Sequence, residues 1–467
     1  MSSYQRILRH RDFRYLFLGQ AASAVGDQVV IVALALFITR QTGSPTDLGL
    51  VLAAQALPMV SLMLFGGVWA DRLPRHRIMI VADVSRAALH FILAALIFTG
   101  AVRIWQLIVI EALFGAARAF FQPAYTGLIP QTVPESMIQE AMALTESAAN
   151  LAIMIGPALS TALVLGVGAG EAFVFDAATF VISALLLLKV RPRSRGVQGP
   201  AAPILHELRA GWREVASRAW VWVTIAVFTG AVLALYSQWY ALAPVIARDH
   251  YGGTGVFGVL ESLAGAGAVL GALLAIRWRP ARPLRTGLVL ALAWPVMGAS
   301  LALHAPLAVV AAGALGTGFG FSLLMIWWNT ALAQYIPPQA LSRVSSYDWV
   351  GSLALMPLGF ALAGPLASAF GASLVLGIGS AVAFVLLLVA LVPRSTRALG
   401  GSAEQLARDV GVEAGGVAQV AHVNSLVGIV DERRLLEQRH MPVREEPVGD
   451  ALSERLPKPA RIGESGE

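Results

Sequence analysis

Apolar residues run through this chain in blocks too long and too uniform to form one face of a soluble helix. Between Phe13 and Val392, twelve such blocks follow one another, separated by short polar loops. A bilayer core of about 30 Å is crossed by roughly 20 apolar residues in helical form. Lipid offers no partner to a backbone N–H or C=O, so each block is predicted to be a transmembrane helix. The predicted spans are 13–38, 47–69, 78–99, 104–122, 141–168, 171–190, 219–246, 254–276, 284–303, 306–331, 342–369 and 371–392.

The polar breaks orient the spans. Arg6, Arg9, Arg11 and Arg14 precede the first, and Arg72, Arg75 and Arg77 follow the second. Lys189 to Arg218, Arg277 to Arg285 and Arg343 fall on the same side, whereas the other side carries only Arg40, Arg103 and Arg248. Basic loops stay in the cytoplasm, so both termini are expected there, in a multi-pass protein of the cell membrane. The loop at 122–140 lacks Lys and Arg and departs from the pattern without reversing it.

The longest polar stretch between spans, 191–218, separates six spans from six. Within it Ile204, Leu208, Trp212 and Val215 recur at helical spacing, as in a helix lying on the inner membrane surface. A shift of 203 positions brings Gln131, Pro134, Gly156, Ala158 and Leu159 onto Gln334, Pro337, Gly359, Ala361 and Leu362, a weak internal repeat. The expected organisation is two pseudo-symmetric six-helix bundles, 1–190 and 219–392, joined by the 191–218 loop. The remainder, 393–467, has no Phe, Trp or Tyr and is expected to be mostly disordered, with a short helix around Val427 to Arg439.

Composition adds exclusions. Of 467 residues 57% are hydrophobic and 13% charged, where soluble domains carry about 25% charged residues. The polar, basic start (Met1 to Arg14) lacks the apolar core of a cleavable signal, so the first span is expected to do the targeting. There is no cysteine, which removes disulfides, thiolate metal sites and cysteine nucleophiles. The net charge of +6 sits in membrane-flanking loops and does not imply nucleic acid as a partner. No phosphate-binding loop is present, and no catalytic or metal-ligand spacing is recognisable, so neither an enzyme nor a cofactor is expected.

The sharpest local pattern is Gly66-Gly67-Val68-Trp69-Ala70-Asp71-Arg72-Leu73-Pro74-Arg75-His76-Arg77 between spans 2 and 3. Small residues let helices approach closely there, and the charges suit pairing at the membrane edge. This segment resembles the Gly-x-x-x-Asp-Arg-x-Gly-Arg-Arg/Lys signature of the major facilitator superfamily, with Pro74 where glycine is usual. Gly26-Asp27, Ala119 to Ala124, Ile129 to Pro134, Gly156-Pro157, Ser345 to Trp349 and Pro357 to Gly359 are similar to its enterobactin-exporter and macrolide-efflux branch. The resemblance implies two six-helix bundles rocking around a central path, with Gly67, Asp71, Arg72, Arg75 and Arg77 acting at the cytoplasmic gate against 341–346. The antiporter signature of helix 5 is partial: Gly156 and Pro157 are kept, while Ala152, Ser160 and Thr161 occupy glycine positions.

A charge at the bilayer centre costs about 2.5–3.5 kcal/mol on insertion scales and marks a site or a partner. Asp27 in span 1 is the first candidate for proton coupling or for binding a cationic substrate. Glu111 and Arg118, two turns apart in span 4, and Glu261 in span 8 are further candidates. Asp83 and Arg86 share a face of span 3 and read as a structural pair. Trp327, Trp328 and Asn329 would suit a bulky amphipathic substrate. Asp348 is a gate or capping candidate, and His90 and His304 read as structural. The expected function is a secondary active transporter, working as a monomer, that exports a bulky drug-, macrolide- or siderophore-like molecule against proton entry. An importer, a lipid flippase or a non-transporting sensor are the alternatives.

Overall fold

The computed structural model describes residues 6–134, 137–192, 204–278, 280–394 and 396. These belong to one compact unit within Met1–Val410. The tail readings, including the short helix near Val427, lie outside the described residues. So do the side chains of Gly67, Asp71 and Arg72.

Each predicted apolar block is helical, and among the described residues twelve helices are long and apolar enough to cross a bilayer. Six lie in the first half: α1 (Arg11–Thr42), α2 (Pro45–Arg72), α3 (Arg75–Phe98), α4 (Ile104–Leu128), α5 (Ile138–Gly166) and α6 (Ala169–Leu187). The linker forms α7 (Ile204–Ala216). The seventh span is α8 (Ala219–Ala231), one π-helical turn (Val232–Tyr236) and α9 (Ser237–His250). The eighth is α10 (Gly255–Arg277), and the ninth is broken into α11 (Pro283–Ala291) and α12 (Ala293–Ala302). The tenth is α13 (Leu307–Tyr335), the eleventh is α14 (Pro338–Leu353) and α15 (Met356–Phe370), and the last is α16 (Ala372–Ala390). Two pseudo-symmetric six-helix bundles result.

Equivalent glycines pack alike in the two bundles. A methyl group on Gly156 in α5 would strike Gln28 of α1, and one on Gly359 in α15 would strike Ser237 and the Leu233 carbonyl of the seventh span. The fifth span thus crosses the first as the eleventh crosses the seventh. The sequence offset of 203 matches these two glycines, which gives the weak repeat a physical basis.

The ends of the molecule differ. At the end bearing loops 43–44, 167–168 and 251–254, a single apolar cluster joins the halves. It includes Val32, Leu48 and Phe173 from one and Leu242, Phe257 and Phe360 from the other. At the opposite end, which carries the arginine-rich loops, the halves have separate clusters. Phe13, Met79 and Leu128 belong to one, and Val221, Leu288 and Leu332 to the other. The described bundles are therefore joined at one end and separately packed at the other.

Small residues line the contact between the halves, from the joined end to mid-span. A methyl group on Gly49 of α2 would overlap the Phe360 carbonyl of α15, and one on Gly265 of α10 would overlap the Met154 carbonyl of α5. Local geometry supplies a latch. Gly43 closes α1 in a left-handed conformation (φ 67°), which glycine adopts without strain, and the Ser44 hydroxyl accepts from the Asp47 N–H at 3.2 Å to start α2. This tight turn holds the end of α1 against the other half. Arg40 Nε donates to Thr254 Oγ1 at 3.0 Å, and Arg248 Nη1 donates to the Thr39 carbonyl at 3.4 Å.

The linker helix α7 packs against α14. Its Val215 is buried among the second half's apolar residues, and Trp212 lies 5.8 Å from the Tyr347 ring.

Candidate functional site

Four helices of the first half bring ionisable side chains into one dry cluster. Asp83, Arg86 and His90 repeat along α3 at helical spacing, so they share one inward face. All three are buried, as are Glu111 of α4 and Asp176 of α6. Arg86 pairs with Asp83 on its own helix and lies 3.7 Å from Asp27 Oδ1 of α1. Its guanidinium is sandwiched between Phe180 and Phe121, 4.1 and 4.2 Å from their ring centroids. Aromatic faces stabilise a cation that water cannot reach. Asp83 also accepts from Ser183 Oγ at 2.6 Å, and that hydroxyl accepts from Gln20 Nε2 at 2.8 Å.

His90 forms the second half of the cluster. Its Nδ1 lies 2.5 Å from Asp176 Oδ2, and its Nε2 lies 3.7 Å from Glu111 Oε1. The ring stacks flat on Phe114, with centroids 4.3 Å apart. Glu111 accepts a second contact from Gln55 Nε2 of α2 at 2.6 Å. Gly26 lets α1 pass directly over Asp176 and Thr179, which carries Asp27 to the edge of the cluster. The Asp27 side chain keeps 18% exposure, against 1% for Arg86 and none for Asp83, so it is the accessible member. Among the described residues, Asp27 Oδ1, His90 Nε2, Glu111 Oε1 and Asp176 Oδ1 are buried atoms without a hydrogen-bond partner.

The other candidates distribute as follows. Glu111 and Arg118 share a helix but not a set of partners: Glu111 enters the buried cluster, whereas Arg118 is half-buried and has no place in it. Glu261 accepts from Trp239 Nε1 at 2.7 Å and Tyr240 Oη at 2.9 Å. Trp327 and Trp328 are buried. Trp328 donates to Asp348 Oδ2 at 2.8 Å, Trp327 packs edge-on to Trp278 at 5.4 Å, and Asn329 is exposed. Gly156 and Pro157 sit where α5 crosses α1. Of the gate motif, Arg75 Nη1 donates to the Gly127 carbonyl at 2.6 Å, tying the start of α3 to the end of α4, and Arg77 is exposed. His304 stacks on His250 at 3.7 Å and bonds Ser373 at 2.9 Å.

Sequence reasoning missed His90 and Asp176 as members of a site. The spacing of Asp83, Arg86 and His90 on one face was the available signal for His90. For Asp176 the available signal was only an acidic residue within an apolar span.

Residues 16–352 match the sequence profile of the Major Facilitator Superfamily. The chain is 25% identical over 268 residues to macrolide efflux protein A of Streptococcus pyogenes, covering 56% of this chain and 65% of that protein. It is 28% identical over 375 residues to the multidrug efflux pump Tap of Mycolicibacterium fortuitum, covering 76% and 89%. To the putative bacilysin exporter BacE of Bacillus subtilis it is 28% identical over 269 residues, covering 57% and 66%. The matches to the macrolide and bacilysin proteins thus span just under two thirds of those relatives. Among solved structures, it superimposes with a TM-score of 0.62 on an inward-facing, unoccupied bacterial homologue of the human lysosomal transporter Spinster. That likeness has 15% identity and covers 86% of this chain and 98% of that one.

Proposed function

Because this chain belongs to the major facilitator superfamily, whose members are transporters rather than enzymes, we propose that it exports a bulky amphipathic small molecule in exchange for entering protons. One observation carries the coupling: the buried cluster holds four carboxylates (Asp27, Asp83, Glu111, Asp176) against one guanidinium and one imidazole. Uncompensated negative charge in a water-poor interior is costly, and taking up protons relieves it. Asp27 is its accessible member and therefore the entry point. Export is supported by relatives named for macrolide, bacilysin and multidrug efflux.

In this reading the basic loops and both termini face the cytoplasm. The halves are then closed outside and separately packed inside, the arrangement that receives substrate from the cell. Proton occupancy of the cluster removes the repulsion among its carboxylates. That changes how α1 seats against α3 and α6, and so biases the two bundles between inward and outward arrangements. The Arg75 tie and the motif containing Gly67, Asp71 and Arg72 act at the inner gate.

The test is uptake of dyes, macrolides and siderophores by inverted membrane vesicles, with and without an inside-acid pH gradient. Gradient-dependent accumulation is expected. Accumulation unchanged when the gradient is collapsed would remove proton coupling; loss of an outward-directed preload on imposing the gradient would indicate import.

A further inference from the structure

Two histidines from different helices lie face to face at the joined end. His250 ends α9, and His304 follows α12. Their ring centroids are 3.7 Å apart and their planes differ by 21°. Both side chains are exposed, and His304 Nε2 shares a hydrogen bond with Ser373 Oγ, in the first turn of α16, at 2.9 Å. His304 also occupies a strained place in the backbone. Its N–H donates to the Leu301 carbonyl at 3.1 Å, and the Ala305 N–H donates to the Ser300 carbonyl at 2.9 Å, the pair of bonds that ends a helix on a left-handed residue. Glycine usually fills that position. Here φ is 54°, and among the described residues His304 is the one non-glycine residue with positive φ. A side chain kept where the backbone disfavours it points to a use for that side chain.

The stack lies inside the segment that latches the halves together. Arg248 Nη1 donates to the Thr39 carbonyl of α1 at 3.4 Å, and Thr254 Oγ1 accepts from Arg40 Nε at 3.0 Å. Between these two bonds, the segment is pinned to its own half in two places. His250 rests on His304, and Tyr251 Oη donates to the Ala305 carbonyl at 2.7 Å. A displacement of His250 is therefore passed along a short stretch of chain to both latch residues.

Charge decides whether the rings stay together. Histidine changes charge between about pH 5 and pH 8, and two imidazolium rings in van der Waals contact repel each other. The surroundings offer little compensation. On α9 itself Asp249 is held by Arg248 at 2.7 Å. Burial raises the Tyr251 phenol, which keeps its proton throughout this range. The elements packed against α9 bring Arg40 at the end of α1, Asp47 in the first turn of α2 and Glu261 of α10, which is engaged deeper in the span by Trp239 and Tyr240. The 303–306 loop, α12, α15 and α16 carry no Asp, Glu, Lys or Arg. Among the described residues no carboxylate forms an ion pair with either ring.

We infer that the His250–His304 stack is an acid-sensitive catch on the joined end: protonation of both rings parts them, displaces the 248–254 segment and opens that end. The side of the membrane rests on the orientation proposed above, in which the joined end faces outward. Acid outside the cell then releases the face through which protons reach Asp27. The catch itself needs neither gradient nor substrate, so it is tested at equilibrium.

The experiment is pulsed EPR on the full-length protein in nanodiscs, with spin labels at Val167→Cys and Phe370→Cys. These are exposed positions at the joined end, one in each half, and the chain has no other cysteine. A longer-distance population is expected to grow several-fold from about pH 8 to about pH 5. The same growth is expected in Asp27→Asn, which removes the accessible carboxylate of the buried cluster. His250→Phe keeps a ring on His304 without a titrating charge, and His304→Asn keeps a residue that tolerates the left-handed backbone. Both are expected to match the parent at pH 8 and to lose most of the acid response. Labels unmoved by acid, a response that both histidine variants retain, histidine variants open at both pH values, or a response that disappears with Asp27→Asn would each overturn the inference. Loss of gradient-driven flux with this acid response intact would instead remove the coupling proposal.

Discussion

His90 and Asp176 join α3 to α6 through a 2.5 Å contact, with the imidazole lying flat on Phe114. Both are buried, so each depends on the other for its polar partner. His90→Ala is expected to destabilise the protein by about 2–3 kcal/mol, the cost of leaving a buried polar group unpartnered. The double substitution His90→Ala with Asp176→Asn should cost less than the sum of the singles. Thermal unfolding in detergent checks this, and strict additivity would show that the pair does not interact.

Arg86 neutralises Asp83 and faces Asp27 in the same dry space. Arg86→Gln leaves carboxylates buried without their cation, which costs about 3–5 kcal/mol. Adding Asp83→Asn is expected to recover a large part of the lost stability. The melting temperatures of the single and double variants decide it: equal values would mean that the guanidinium acts through its packing on Phe121 and Phe180.

If the proposed coupling holds, Asp27→Asn is expected to abolish gradient-driven flux while the protein stays folded, because it removes a carboxylate that could take up a proton and keeps the side chain's shape. Normal gradient-driven flux in a folded Asp27→Asn protein would exclude Asp27 from coupling.

The joined end depends on bare Cα atoms. Gly265→Val is expected to hold α10 away from α5 and shift the population toward a form open at that end. The natural sequence has no cysteine, so a Thr46→Cys reporter beside Gly364 is the sole thiol. Its maleimide labelling should accelerate several-fold with Gly265→Val. An unchanged rate would mean that the seam absorbs the extra methyl groups.

The spans were legible because lipid imposes a length on apolar runs, and Pro45 to Met63 or Ala372 to Ala390 need no tertiary information to be found. Interruptions were not. The π-helical turn at Val232–Tyr236 and the breaks at Leu292 and at Ala354–Leu355 lie within sequence as apolar as its surroundings. Hydropathy reports depth and is indifferent to helical pitch. The charges were legible one by one, but their pairing was not. Asp27 looked isolated because its nearest cation, Arg86, arrives on another helix. Spacing grouped Glu111 with Arg118, yet Gln55 and His90, from other helices, claim the first. Trp328 offered an amphipathic surface in the sequence, whereas in the fold its N–H is taken by Asp348.

The seams that run from the joined end to mid-span are made of main chain, with Gly49 on the Phe360 carbonyl and Gly265 on the Met154 carbonyl. A contact between long side chains loosens gradually, one rotamer after another. A carbonyl oxygen resting on a bare Cα has no such slack, and a small separation empties the contact. The end is therefore either shut or parted, with little standing ground between. For a carrier in a charged membrane, that abruptness is protection against leak: a half-open passage, through which ions would run down the gradient unproductively, is the state this backbone seam supports least.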